Sequence, residues 1–231
     1  MQEQAQPTRD VTPVAVFDLD GTSIDGQSGS LLAVYLFRRG ILGPLKAVRL
    51  AWWGVRYKLH MHHSQEEPRH VIFSRLGPMG REQADKIMDE FTATEILPRL
   101  RKDAVAEIAR RNDEGCVTLL VSATFERVAQ VVAAEVGVSA FIATRMRTDE
   151  AGNYLDEVDG LTVEGHEKVL AVREWADREL GEGAWRLAYA YADHHSDEEL
   201  LGCADQAFAV CPGKTLRPVA RKNDWPQLYW E

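Results

Sequence analysis

The sequence predicts an α/β fold: a Rossmann-like parallel sheet with helices on both faces, carrying an inserted α-helical cap. Three observations lead there. From about residue 99 onward, short apolar runs of strand length alternate with amphipathic helical patterns, as a parallel sheet built from β-α units requires. Near the N-terminus, Val14-Ala15-Val16-Phe17 is an unbroken apolar run, the mark of a strand buried on both faces. Between that strand and the alternating part lies a long block with helical periodicity and no clear strand.

In chain order, the first strand, Val14–Phe17, ends abruptly in Asp18-Leu19-Asp20-Gly21-Thr22. The helical block follows, with helices over Leu31–Arg39, Pro44–His60, Gln65–Leu76 and Arg81–Thr92, punctuated by Gly40, Gly43, Pro68, Gly77, Pro78 and Gly80. Its position just after the first strand makes it a natural lid over Asp18 and Asp20. Later strands are expected at Val117–Val121, Phe141–Ala143, Leu187–Tyr191 and Ala207–Val210. Helices are expected near Lys102–Asn112, Glu126–Val136, Glu164–Leu180, Asp197–Cys203 and Leu216–Lys222. Arg145–Val158, with Asp149, Gly152 and Asn153 between alternating stretches, reads as a β-hairpin appended to the sheet. The domain reading is a core of residues 1–25 and 98–231 and a cap of residues 26–97.

A chain of 231 residues, 45% hydrophobic, suffices for one core plus a smaller inserted domain. Its net charge of −9 argues against nucleic-acid binding, which needs a basic face to neutralise phosphates, and suits a protein that gathers carboxylates around a hard cation. Cys116, Cys203 and Cys211 show no metal-ligand spacing, and the first two read as buried, reduced thiols. Met1 to Pro13 is polar and lacks the apolar core of a signal peptide. Arg38-Arg39, Lys46 and Arg49 break the longest apolar stretches before they reach membrane-spanning length. The expectation is a soluble, cytoplasmic protein.

The chemistry-bearing residues fall at strand ends. Asp18 and Asp20 sit at the mouth of the first strand, where open α/β sheets bind ligands, and Gly21 lets the chain turn there. Two such carboxylates suit a division of labour between nucleophile and proton carrier, although the same four residues also describe an ordinary turn. Ser122 follows the second strand; by itself it reads as a plain helix cap, while an anion contact is the sharper reading. Lys168 opens a helix, at the dipole end that disfavours a cation; position alone makes it a solvated surface lysine, while an anionic partner is the sharper reading. Asp193 and Asp197 follow the fourth strand, and carboxylates there fit Mg²⁺. His194 and His195 lack the further ligands that zinc would need. Two acids, a hydroxyl, a lysine and two more acids along one sheet edge make a joint pattern that separate surface accidents would not produce.

These residues in this order resemble the haloacid dehalogenase-like hydrolase superfamily, and within it the phosphoserine-phosphatase-like subfamily with a helical cap. Asp18-Leu19-Asp20-Gly21-Thr22 is similar to the first motif, Ser122 after Leu119-Leu120-Val121 to the second, Lys168 to the third, and Asp193 with Asp197 to the fourth. The resemblance implies that Asp18 is the nucleophile and Asp20 the general acid and base. It implies that Thr22, Ser122, Ala123 and Lys168 hold the phosphoryl group. Asp18, Asp20 through its backbone carbonyl, and Asp193 would bind Mg²⁺, with Asp197 in support. The fourth motif departs from the family's small residues by carrying His194-His195. Gln27 stands where a phosphoserine phosphatase has a glutamate for the substrate's amino group, which counts against phosphoserine.

The implied activity is a Mg²⁺-dependent phosphomonoesterase acting on a small phosphorylated metabolite or a lysophospholipid-type phosphate. A phosphotransferase or mutase shares the same motifs. A silent phosphate-binding module is disfavoured by the presence of both Asp18 and Asp20. In the cap, Val48 to His60 is basic and aromatic at once; a packed helix with snorkelling Arg and Lys is preferred to a lipid-facing surface. Arg69 and Arg75 are candidates to reach a polar substrate, and His60, His62 and His63 are expected in solvent.

Overall fold

The computed structural model describes residues 11–46, 48–50, 52 and 66–231. The readings made on residues 1–10, on Trp53 and on His60, His62 and His63 lie outside the described residues.

Six strands form one wholly parallel sheet: β1 (Thr12–Phe17), β2 (Val117–Phe125), β3 (Ala140–Thr144), β6 (Trp185–Ala192), β7 (Gln206–Val210) and β8 (Gln227–Leu228), in the order β3-β2-β1-β6-β7-β8. The chain builds outward from β1 in one direction, then returns and builds outward in the other. The crevice between the carboxyl ends of β1 and β6 is therefore the topological switch point, where sheets of this kind hold ligands. Strand alternation explains the burial of β1 on both faces. Ala15 and Phe17 enter one apolar cluster, Val14 and Val16 the other. Helices α4 (Lys102–Asp113) and α5 (Glu126–Val136) contribute to the first cluster. Helices α6 (His166–Leu180), α7 (Glu198–Gly202) and α8 (Leu216–Lys222) contribute to the second. α5 shows how local sequence sets this packing: Val128, Ala129, Val132, Ala133 and Val136 line one helical face, and Gly137, at φ 72°, ends the helix with its N–H on the Ala133 carbonyl.

The helical block contains α1 (Ser28–Arg38), α2 (Glu66–Leu76) and α3 (Arg81–Phe91), and a π-helical turn over Thr92–Ile96 leads back to the core. Leu32 and Leu36 of α1, Ile72 and Leu76 of α2, and Ile87 and Phe91 of α3 join the cluster that contains Phe17, so the block packs continuously with one sheet face.

The structure departs from the sequence reading in several places. The hairpin does not extend the main sheet. β4 (Met146–Thr148) and β5 (Tyr154–Val158) pair only with each other, and β5 leans on the cap. Phe73 meets Tyr154 edge to face, Tyr154 Oη donates to Asp85 at 2.7 Å, and a Cβ on Gly77 would fall 2.3 Å from the Tyr154 carbonyl oxygen. Cys203 is exposed, because it caps α7 beyond Leu200 and Leu201, which take the buried positions. β8 has no periodic signature, being two residues long. Residues 44–46, 48–50 and 52 are helical as expected, but only partly packed: Leu50 is buried, while Leu45, Val48 and Trp52 on the opposite face are exposed. Among the described residues no helix is long and apolar enough to cross a membrane.

Candidate active site

β1 delivers Asp18 to the switch point. Its backbone N–H continues the ladder to the Tyr191 carbonyl at 3.0 Å, and Ser23 Oγ donates to the Asp18 carbonyl at 2.6 Å. The carboxylate is buried and doubly held: Oδ1 accepts from Lys168 Nζ at 2.8 Å and Oδ2 from Thr22 Oγ1 at 3.2 Å. Thr22, read as a phosphate contact, is thus placed against the carboxylate of Asp18. Gly21 is required on two counts. Its φ is +77°, and a Cβ there would lie 2.1 Å from Asp193 Oδ2, so only a bare backbone lets the loop after β1 and the loop after β6 touch.

Asp20 turns the other way, toward the start of the cap. Its Oδ1 accepts the Ser28 N–H at 2.7 Å and its Oδ2 the Ser28 hydroxyl at 2.8 Å. Because Ser28 is the first residue of α1, the carboxylate sits on the positive end of a helix. Ser28 Oγ also lies 3.0 Å from Thr124 Oγ1, which ties this pair to the end of β2.

β2 runs three residues past Ser122, beyond the expected strand end at Val121. Pairing with β3 jumps from Ser122–Ala143 to Phe125–Thr144, so Ala123 and Thr124 bulge out of the ladder at the crevice. Ser122 Oγ accepts the Thr124 N–H at 3.1 Å, which fixes the bulge from within. Lys168, in the first turn of α6, is only 3% exposed, so the surface reading fails. Its ammonium bridges Asp18 Oδ1 and Asp197 Oδ1, both at 2.8 Å. Asp197 therefore spends its carboxylate on Lys168 and makes no side-chain cap to α7. Instead, the ring of His194 accepts the Ser196 N–H to cap the short turn after β6. His195 Nδ1 lies 3.1 Å from His194 Nε2 and 3.2 Å from Thr215 Oγ1, so the two rings engage each other and the rim of the site.

The electrostatics follow from four carboxylates sharing one ammonium. Burial pushes Asp18 up to about 7, against the pull of Lys168 and with added repulsion from Asp197 and Asp20. Burial, reinforced by Asp18, Asp197 and Asp20, pushes Asp193 up to about 8. Asp20 is also raised by burial, although the Ser28 hydrogen bonds oppose the shift. Burial would lower Lys168, but Asp18 and Asp197 outweigh it and hold the ammonium firmly protonated.

This donor set fits a hard divalent cation. Burial, with mutual repulsion among the carboxylates, holds Asp18 and Asp193 well above the carboxylate range, and the donors available are oxygens. Among the described residues no three His, Cys, Asp or Glu side chains form a complete protein cage. Mg²⁺ does not require one, since it keeps waters and takes one or two carboxylates plus substrate oxygens.

The structure thus gathers Asp18, Asp20, Thr22, Ser122, Ala123, Lys168, Asp193 and Asp197 around one crevice. It leaves Gln27 and Arg75 exposed, while Arg69 is buried with its guanidinium donating to Thr162 at 2.9 Å, on the loop that leads to α6. Sequence reasoning missed Ser28 and Thr124. A serine opening a helix after Gly26-Gln27 is a visible cap signal, but nothing in the sequence says that its partner is Asp20.

The chain is similar to known proteins along most of its length. The family model described as "haloacid dehalogenase-like hydrolase" matches residues 15–202. The chain is 25% identical over 219 residues to a histidinol-phosphatase of Neisseria meningitidis, covering 93% of this chain and 97% of that protein. It is 28% identical over 228 residues to the phosphoserine phosphatase SerB1 of Mycobacterium tuberculosis, covering 95% and 71%. A crystal structure of a protein of unknown function from Bordetella pertussis superposes with a TM-score of 0.85 at 27% identity, covering 94% of this chain and 98% of that one.

Proposed function

We propose that this chain, which belongs to the haloacid dehalogenase-like hydrolase family, is a Mg²⁺-dependent phosphomonoesterase that works through an aspartyl-phosphate on a small phosphorylated metabolite. The observation that carries the reading is the buried Asp18–Lys168–Asp197 bridge facing Asp193 across Gly21. It combines a fixed carboxylate, a fixed ammonium and an oxygen-rich, charge-deficient corner.

In this reading an Asp18 carboxylate oxygen attacks phosphorus, the bond to the ester oxygen breaks, and Asp20 gives that oxygen its proton. Asp20, now ionised, takes a proton from water as the water attacks the aspartyl-phosphate, releasing inorganic phosphate and restoring Asp18. Lys168, Ser122 and the bulged backbone at Ala123 would hold phosphoryl oxygens, and Thr22 would orient Asp18. Asp18, the Asp20 carbonyl and Asp193 would hold Mg²⁺, which supplies charge neutralisation to the phosphoryl group. Ser28 keeps Asp20 in place through both proton transfers. The free state of all three cysteines accords with a cytoplasmic location.

Two relatives named for histidinol phosphate and phosphoserine make amine-bearing phosphomonoesters the first class to assay. Neutral Gln27 is a weak partner for the ammonium that both esters carry, so it does not rank them and both belong in the panel. The test is hydrolysis of p-nitrophenyl phosphate and of that panel, with Mg²⁺, with EDTA, and with Asp18→Asn. Turnover that needs Mg²⁺ and disappears in Asp18→Asn is expected. Turnover that persists in Asp18→Asn, or a folded wild type that hydrolyses none of these esters, overturns the reading.

A further inference from the structure

The basic, aromatic part of the cap is only partly absorbed by packing. Residues 44–46, 48–50 and 52 are helical, and Leu45, Val48 and Trp52 follow one another at helical spacing. They are 84%, 66% and 58% exposed, whereas Leu50, on the opposite side, is buried. A helix that serves only to pack would turn these side chains inward; here the apolar stripe faces out. Val34 and Phe37 of α1, one turn apart, add two half-exposed apolar side chains to the same block. Contiguous exposed apolar side chains of this size mark interaction surfaces.

Charge identifies what the stripe meets. Residues 26–65 hold six Lys and Arg and no Asp or Glu, in a chain of net charge −9. Arg38 and Arg39 are partly answered by Glu95 and Glu90, at 3.9 and 2.7 Å. Lys46, however, donates to the neutral Ser74 hydroxyl at 2.9 Å rather than to a carboxylate. A second copy of this chain would bring like charge against like charge. Among the described residues, the recesses lined by Arg81 with Tyr154 and by His195 with Trp225 include no residue of this helix. A convex apolar helix face with a tryptophan and flanking cations is the form that enters the headgroup region of a bilayer.

We propose that the cap helix carrying Leu45, Val48 and Trp52 docks this protein reversibly on an anionic lipid surface. This inference does not depend on the phosphatase reading, because it uses no residue of the crevice.

The test is co-sedimentation of the full chain with vesicles of phosphatidylcholine alone and of phosphatidylcholine with phosphatidylglycerol, at low and high salt. Binding to the anionic vesicles, weakened by salt, is expected. The double variant Leu45→Gln/Trp52→Gln should lower the partition coefficient at least tenfold. Leu170→Gln, at an exposed apolar position on the core, should leave it unchanged. Both variants alter exposed side chains, so an unshifted melting temperature confirms that the fold is intact. Absence of binding to anionic vesicles, equal binding to neutral ones, or undiminished binding by the double variant overturns the proposal. So does a concentration-dependent dimer that the double variant abolishes, since a second copy would then be the occupant.

Discussion

Asp193→Asn should stabilise the metal-free protein. In the folded state burial and the carboxylates of Asp18, Asp197 and Asp20 push Asp193 from 3.8 up to about 8. The unfolded chain gives up this proton near pH 4. Between those limits the folded protein binds one proton more than the unfolded chain, so stability falls as pH rises, by about 1.4 kcal/mol per pH unit. The contribution is fully present below the unfolded value and fully lost above about 8. At pH 7 this sets a ceiling of about 4 kcal/mol. Asp18, itself raised to about 7, repels Asp193, so one proton relieves both groups and about half the ceiling, about 2 kcal/mol, is expected from neutralising one of them. Asparagine matches the protonated carboxyl in shape and carries no charge. For a chain of this size the gain corresponds to roughly 4–8 °C in melting temperature. Thermal unfolding in EDTA should show that gain near pH 7.5, show it shrinking toward pH 5, and show none near pH 4. Added Mg²⁺ should raise the wild type and leave the variant unmoved. A gain that is the same at every pH, or a variant less stable than the wild type at pH 7.5, would refute the assignment of charge shortage to this corner.

Two further substitutions probe the neighbours of Asp193 and Asp20. Gly21→Ala places a Cβ 2.1 Å from Asp193 Oδ2 at a φ of +77°; it should destabilise by at least about 1 kcal/mol and weaken the Mg²⁺ concentration dependence of turnover more than tenfold, read by titrating activity with the metal. Ser28→Ala removes one of the two hydrogen bonds that orient the general acid. It should cut kcat/KM for an alkyl phosphate, whose leaving oxygen needs a proton, on the order of 10²-fold, while p-nitrophenyl phosphate, whose leaving group needs none, changes little; equal losses on both would mean a merely structural role.

Much of this architecture was legible in the sequence because each signal was local. The run Val14–Phe17 is apolar at every position, as burial on two faces demands, and it became the centre of the sheet. The alternation after residue 99 gave the remaining long strands and their helices. Edges were less legible: β8 is too short for periodicity, and β2 continues past Val121 because a bulge, not a turn, follows Ser122 and pairing with β3 resumes at Phe125. Tertiary placement was invisible where one position admits two environments. Lys168 reads as a surface residue at the start of a helix until Asp18, 150 residues earlier, and Asp197 are brought to it. Ser28 reads as helix punctuation until Asp20 folds back upon it. The hairpin's strands are evident from alternation, but only the contact of Tyr154 with Phe73 and Asp85 shows that they lean on the cap.

The same charge shortage dictates an order of binding. With Asp18, Asp20, Asp193 and Asp197 ionised, the crevice holds four negative charges against the single ammonium of Lys168, and both oxygens of Asp18 are already engaged. A phosphate dianion entering this crevice alone meets repulsion in a poorly solvated site, where charges interact far more strongly than in water. Protonating Asp18 and Asp193 would relieve it, but a protonated Asp18 is no nucleophile. Lys168 does not supply the missing charge alone: it has an N–H left for a phosphoryl oxygen, but its single positive charge is already set against two carboxylates. Productive phosphate binding therefore requires the cation first or together with the anion. Calorimetric titration of inorganic phosphate at pH 9, above the values of Asp18 and Asp193, should give binding with Mg²⁺ and none measurable in EDTA, and Asp193→Asn should lose the Mg²⁺ requirement along with most of the affinity. Tight phosphate binding by the metal-free wild type at pH 9 would mean that the cationic end of the crevice is stronger than Lys168 alone, and the charge argument would fail.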